Sequence, residues 1–336
     1  MAGSFVLESA LQEILIVVKP SEDDQSTRSD VIDDFKGVVQ TVESLRGATV
    51  EPFGSFISNL YSKWGDLDIT VEPLRSSSSV ERSRKLDLLE DIMRALQRRG
   101  VHKLELNRWV KEWAKAQGIN DSKNGTFNSY SLTLLVIFHF QTCEPSILPP
   151  LMSIFDGNIA DLIGMRSYAS IETTCAENIA RFKRERYRRN QSTLSELFVS
   201  FFEKFSKMKT KSAEHFICTY TGNWELKQSQ SRRRMKSYPI IIEDPFEWTE
   251  NAARSVGVYN LRKIDETFQE THHKLSGSSV LSKKSLIPIL VGPQISSQLE
   301  VGVPQRDLSL LRLLLSSFVF FVIWLCISYF VNTEKL

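Results

Sequence analysis

The sequence predicts an α+β chain in which a small sheet-bearing unit is followed by a larger helical one. Three observations carry this. A strand, turn, helix, strand order runs from Ala48 to Glu72; segments with apolar residues at helical spacing lie on both sides of it; and 336 residues with 42% apolar content suffice for two cores, since domains commonly run to about 100–200 residues.

Taken in order, Phe5 to Val18 and Thr27 to Leu45 read as helices. The second offers Ser29 or Asp30 as N-cap and sets Val31, Phe35, Val38, Val39 and Val42 on one face. Ala48 to Pro52 is short and β-prone, Gly54-Ser55 is a turn, Phe56 to Lys63 a short helix, and Asp66 to Glu72 a strand. After a loop at Pro73 and Ser76 to Ser79, Ser83 to Arg98 is helical up to Gly100. Val101 to Leu106 has room for one strand, and Asn107 to Gly118 is a helix with Trp109, Val110 and Trp113 on one side. Asn128 to Gln141 is apolar nearly all round, the mark of a helix in the middle of a helical domain. Further helices are expected at Ile171 to Tyr187, Thr193 to Met208 and Val258 to Lys274, with an extended piece at Tyr238 to Ile242. From Ser276 to Asp307 the Ser, Gln, Pro and Gly content predicts a linker of low order.

A formal charge of only +2 means that any nucleic acid must be held by local basic patches. Cys143, Cys175, Cys218 and Cys326 lie far apart without a Cys-x-x-Cys or Cys/His cluster, which predicts neither a disulfide framework nor a structural zinc site. His272-His273 has no ligand partner at metal spacing and reads as a surface pair. Met1 to Pro20 lacks the basic stretch and cleavage site of a secretory signal, so a cytoplasmic or nuclear location is expected. At the other end Leu313 to Val331 is 19 residues without a charge, about the hydrocarbon thickness as a helix. Two readings stay open for it: a membrane tail anchor with the body in the cytosol, or an apolar tail.

The chemistry is carried first by Asp66 and Asp68. Two apart on a predicted strand, they present both carboxylates from one face while Leu67 and Ile69 face the other way. Such a pair is costly without a cation, and Mg²⁺ (or Mn²⁺) with its oxygen preference is the usual neutraliser. Upstream, the Gly54-Ser55 turn at the start of a short helix can cradle a phosphate. Lys111 and Lys115, four apart on one helix, can reach the same phosphates. The run Arg181 to Arg189 holds six Lys or Arg against Glu185, with Phe182 and Tyr187 interleaved. It fits either a single-stranded RNA contact or a solvated helix face.

Together, Phe53-Gly54-Ser55 and Gly65-Asp66-Leu67-Asp68-Ile69 resemble the signature of the polymerase β-like nucleotidyltransferases, in particular the noncanonical poly(A) polymerases and terminal uridylyltransferases. Trp109 to Lys115 resembles that family's triphosphate-contacting helix. Gly125 to Ser131 is similar to its nucleotide-binding turn, in which the serine matching Ser129 contacts phosphate and the tyrosine matching Tyr130 stacks on the base. Ile242 to Glu247 resembles its nucleotide recognition motif, whose acidic positions match Asp244 and Glu247. Val110 to Pro150 looks closest to plant small-RNA uridylyltransferases.

The resemblance implies a nucleotidyltransferase palm at 27–106 and a helical central, PAP-associated domain at 107–275. A helix at 1–26 packs on the latter, a linker covers 276–307 and an apolar segment 308–332. It implies Mg²⁺-dependent addition of UMP, alternatively AMP, from the triphosphate to a single-stranded RNA 3′ end. Two departures stand out. The position three residues after Glu247, a histidine in several uridine-preferring relatives, is Glu250 here. The family's third aspartate, on a neighbouring strand, has no counterpart, because only Val101 to Leu106 separates the two helices. Glu105 is the sole acid there. The sheet is therefore expected to be truncated, and an inactive nucleotide or RNA binder is the alternative to an enzyme.

Overall fold

The computed structural model describes residues 2–41, 46–53, 55–57, 61–72, 101–154, 177–178, 180–182, 184, 190–229, 238–245, 250–277 and 282–301. Two antiparallel strands, β1 (Thr49–Phe53) and β2 (Asp68–Glu72), pair with Val50 opposite Val71 and Phe53 opposite Asp68. Helix α2 (Glu22–Thr41) covers them, and Val39, Ala48 and Val50 form a small core flanked by Phe35, Ile69 and Val71. Helix α2 begins before the expected Thr27. Ser21 rather than Ser29 or Asp30 caps it, since Asp24 N–H donates to Ser21 Oγ at 3.1 Å and Ser21 N–H to Asp24 Oδ2 at 2.9 Å. This reciprocal pairing closes the first turn.

The second core is far larger. Helix α1 (Ala2–Val18) contributes Leu7, Leu11, Ile14 and Val18 to one core with apolar residues of α3 (Val101–Ala116), α4 (Ser129–Thr142), α5 (Leu194–Phe205) and α6 (Val258–Ser276), and packs directly on α3 and α5. Trp113 of α3 lies edge-on to Phe202 and Phe268, with ring centroids 4.6 and 4.8 Å away, and its indole N–H donates to Thr271 Oγ1 at 3.1 Å. That bond satisfies the one polar atom the ring takes into the core. Helix α5 starts with Thr193 and Glu196 capping each other and stacks Phe198, Phe201, Phe202 and Phe205 inward. A hairpin absent from the sequence reading, β3 (His215–Cys218) and β4 (Asn223–Leu226), turns at Gly222 with φ 70°. Ile242 of the extended piece pairs with Ile217 of β3 in parallel.

Three expectations are corrected. Val101 to Leu106 is not a strand but the first part of α3, continuous with the lysine-bearing turns. Asp66 precedes β2, which starts at Asp68. The stretch 276–307 is not a linker of low order throughout: α7 (Lys283–Leu290) and α8 (Pro293–Val301) bury Leu286, Leu290 and Ile295 in the large core, and Gln117 Nε2 donates to Ile289 O at 2.9 Å. Ser282 and Ser285 cap α7 reciprocally, so the serines that suggested disorder begin a helix. Among the described residues no helix is long and apolar enough to cross a membrane. Leu313 to Val331, Ser83 to Arg98 and most of Arg181 to Arg189 lie outside the described residues.

Candidate nucleotide site

The β1–β2 register brings the Ser55–Ile57 turn, which follows β1, back toward the segment that enters β2. Asp66 is exposed and Asp68 half-buried. Burial, and then the neighbouring charge of Asp66, raise the Asp68 carboxyl above its ordinary value, while the Lys111 ammonium pulls the other way. The two aspartates thus share one electrostatic site although only Asp68 lies in the strand. A divalent cation fits this pair: it would remove the repulsion and take its remaining oxygens from water and phosphate. Among the described residues no group of three or more His, Cys, Asp or Glu side chains gathers in metal-holding geometry. Glu105 is buried on α3, and its charge acts on Arg108. It lies on a helix rather than on a strand beside β2.

Sequence reasoning missed what holds the approach to Asp66. Arg28 of α2, 5% exposed, donates from Nη2 to Gly65 O at 2.7 Å and to Lys63 O at 3.2 Å, and its guanidinium lies 4.8 Å from the Tyr61 ring centroid. Arg108 Nε donates to Tyr61 O at 3.0 Å. Two helices therefore grip one loop by its carbonyls. Gly65 fits that fold because a Cβ there would stand 3.1 Å from Ser62 O. An arginine on an amphipathic helix reads as a solvated residue in sequence, so nothing flagged Arg28. Its replacement by alanine is expected to cost about 1.5–3 kcal/mol, the scale of hydrogen bonds to a charged group. It is also expected to raise the Mn²⁺ concentration needed to half-fill the site, as read by electron paramagnetic resonance. Unchanged Mn²⁺ affinity would show that the grip does not position Asp66.

Lys111 is half-buried and Lys115 exposed. Burial, then the Lys115 charge, lower the Lys111 ammonium to about 8, against the opposing pull of Asp68 and Glu112. Lys115 pairs with Glu112 at 3.0 Å. A triphosphate binding here favours the charged form of Lys111. Nucleotide affinity should therefore be full below pH 8 and decline as pH rises through it, when Lys111 loses its proton in the free protein. Titration from pH 7 to 9.5 checks this, and Lys111→Met should flatten the profile. A wild-type affinity constant across that range would contradict it.

The chain leaves α3 at Gly118 and returns through a 3₁₀ turn, Ser122–Asn124, to the start of α4. Gly125 takes φ 79°, a left-handed backbone conformation that favours glycine, and a Cβ there would also displace the Asn260 amide, 2.6 Å away. Asn128 caps α4 by accepting from Ser131 N–H. Ser129, exposed, accepts from Asn120 Nδ2 at 3.3 Å, and Tyr130 is half-buried against the large core. Both thus occupy the first turn of a 14-residue helix, the end at which the helix dipole favours anions. Asp244, half-buried, lies in a loop tied to this turn: Asn128 Nδ2 donates to Ala252 O at 3.0 Å, and Ser255 Oγ to Thr126 O at 2.8 Å. Glu250 pairs with Arg254 at 3.0 Å. Gly54 and Glu247 lie outside the described residues.

The family model for the central palm domain of the mitochondrial-like poly(A) RNA polymerases matches residues 7–119. Protein HESO1 of Arabidopsis thaliana is 44% identical over 355 residues, which cover 89% of this chain and 69% of that protein. That match is longer than the 336 residues present here, so HESO1 carries residues within it that this chain lacks. Poly(A) RNA polymerase GLD2 of Homo sapiens is 28% identical over 194 residues, 54% of this chain and 34% of its own length. Among solved structures, Cid1 in complex with its short product ApU superposes with a TM-score of 0.65 at 18% identity, covering 85% of this chain and 98% of that one. A structure of a cytoplasmic RNA terminal U-transferase gives 0.64 over the same shares. These two likenesses establish the fold, and the extent of the HESO1 match establishes more: the chain belongs to the noncanonical poly(A) polymerase and terminal uridylyltransferase family of polymerase β-like nucleotidyltransferases.

Proposed function

We propose that this chain binds Mg²⁺·UTP and transfers UMP to the 3′ end of single-stranded RNA. The observation that supports the reading is that Asp68, at the start of β2, feels the charges of both Asp66 and Lys111. Asp66 and Asp68 would hold the metal, which when bound lowers the charge on the phosphates and assists both the attacking and the leaving oxygen. Lys111 and Lys115 would take the β- and γ-phosphates, with Ser55 and the Ser129 hydroxyl beside them. Tyr130 offers a ring face to the base, worth about 1–3 kcal/mol for an aromatic platform. The RNA 3′-oxygen forms its bond to the α-phosphorus as the bond to the β-phosphate oxygen breaks, and pyrophosphate leaves. Positioning and charge neutralisation supply most of such a reaction.

Asp244, with Glu247, would accept from a base N–H. Uracil presents its N3–H between two carbonyls, whereas adenine presents an amino group beside a ring acceptor. A carboxylate can serve either, so AMP is the second substrate. Cid1 solved with a UTP analogue and with its product ApU supports this order, as does the 44% identity to HESO1.

A second reading has its own observation: only two carboxylates meet among the described residues, and HESO1 carries residues this chain lacks. On that reading the chain is a nucleotide or RNA binder without turnover. Calorimetric titration with Mg²⁺·UTP and Mg²⁺·ATP tests the shared part. Micromolar UTP binding that fails without metal is the expected result. A folded sample that binds neither nucleotide would sink both readings.

A further inference from the structure

Asn128 stands between two stretches that a bound nucleotide would meet from different sides. Its Oδ1 accepts from Ser131 N–H at 2.7 Å and Ser131 Oγ at 3.0 Å, closing the turn that carries Ser129 and Tyr130. Its Nδ2 donates to Ala252 O at 3.0 Å, in the return arm of the loop that carries Asp244. The two described arms of that loop are joined by hydrogen bonds. Ala252 N–H donates to Ile242 O at 2.9 Å and Asp244 N–H to Glu250 O at 3.1 Å. The buried Asn251 side chain accepts from Ile242 N–H at 3.0 Å and Ala253 N–H at 2.9 Å and donates to Ile240 O at 2.9 Å. A displacement of Ala252 is thus a displacement of Asp244.

We infer that Asn128 is a positioning residue for base selection: it locks the Asp244 loop to the Ser129–Tyr130 turn, so that the base is read at a fixed distance from the phosphates. This rests on the nucleotide-site reading above. Three other ties, Ser255 Oγ to Thr126 O, Gly257 N–H to Gly125 O and Asn260 Nδ2 to Asn124 O, join the entry of α6 to the turn before Asn128. They do not involve Asn128 itself, so the elements stay attached when it is changed while the arm at 250–253 loosens.

Two substitutions separate the two ends of this side chain. Asn128→Asp keeps an oxygen that caps α4, and Asp caps as well as Asn, but it sets a carboxylate oxygen against the Ala252 carbonyl where a donor stood. Asn128→Ser keeps a cap and loses the reach. With the full chain and Mg²⁺, the four nucleoside triphosphates and inorganic tripolyphosphate compete against a fluorescent nucleotide. Hydrogen exchange is followed over residues 250–257. The expected result in both variants is a UTP-over-ATP preference reduced about fivefold, the effect of losing one ordinary hydrogen bond. In Asn128→Ser tripolyphosphate affinity stays as in the wild type, in Asn128→Asp the added charge beside Ser129 lowers it together with that of every triphosphate, and in both variants residues 250–257 exchange faster. An unchanged preference, unchanged exchange, or, in the neutral Asn128→Ser, tripolyphosphate affinity falling in step with UTP would overturn the inference, the last by pointing to general disruption. Wild-type protein that binds tripolyphosphate but prefers no base overturns the inference alone. Protein that binds neither overturns the nucleotide-site reading with it.

Discussion

Asp66→Ala and Asp68→Ala should each abolish metal-dependent UTP binding and reduce RNA extension by on the order of 10²–10³-fold, the scale of removing one preorganised charge from a reacting site. Neither should destabilise the fold. Asp66 is exposed, and Asp68 is half-buried, its carboxyl raised by burial and then by the like charge of Asp66. Removing either relieves a repulsion that the folded chain alone must carry. The expected pair of results is therefore lost function with a melting temperature unchanged or higher. A variant that loses binding because it melts early would show instead that the aspartates are structural, and the metal-site reading would fail.

Trp113→Ala should be the most destabilising single change in α3. The ring is fully buried, touches Phe202 and Phe268 edge-on and satisfies its N–H on Thr271. Truncation of such a residue costs about 3–5 kcal/mol. The consequence reaches function because Trp113 is inward on the same two turns that hold Lys111 and Lys115 outward. Urea unfolding followed by far-ultraviolet circular dichroism measures the cost. Trp113→Phe, which keeps the ring contacts and drops the hydrogen bond, should lose well under half as much. Equal losses would mean that the hydrogen bond, rather than the aromatic packing, fixes the helix.

The periodic parts of the fold were legible because periodicity is a local property. Trp109, Val110 and Trp113 announce α3, and the apolar run after Asn128 announces a buried α4. Asp66, Asp68 and Lys111 stand out in the sequence by residue type and spacing, whereas Tyr130 stands out only through the family resemblance, and the roles of all four are proposals. What stayed hidden depends on distant partners. Val101 to Leu106 alternates enough to suggest a strand, but buried Leu106 joins the α3 face that packs on α1 and α5, and the helix extends through it. The serines of α7 look like linker until they are seen capping a helix whose Leu286 and Leu290 fill the large core. Arg28 reads as surface, yet it is buried on two carbonyls 35 and 37 residues away. The third carboxylate is a different matter, because among the described residues no group of three or more His, Cys, Asp or Glu side chains gathers in metal-holding geometry.

Transfer is tested most directly by extension of a labelled single-stranded RNA by the purified full chain in detergent-containing buffer. Each ribonucleoside triphosphate is offered in turn with Mg²⁺ or Mn²⁺, beside an Asp66→Ala, Asp68→Ala control. The account predicts slow addition of UMP, faster than AMP, that vanishes in the control. A folded sample that binds Mg²⁺·UTP yet extends RNA no further than the control would contradict transfer and leave the chain a nucleotide binder.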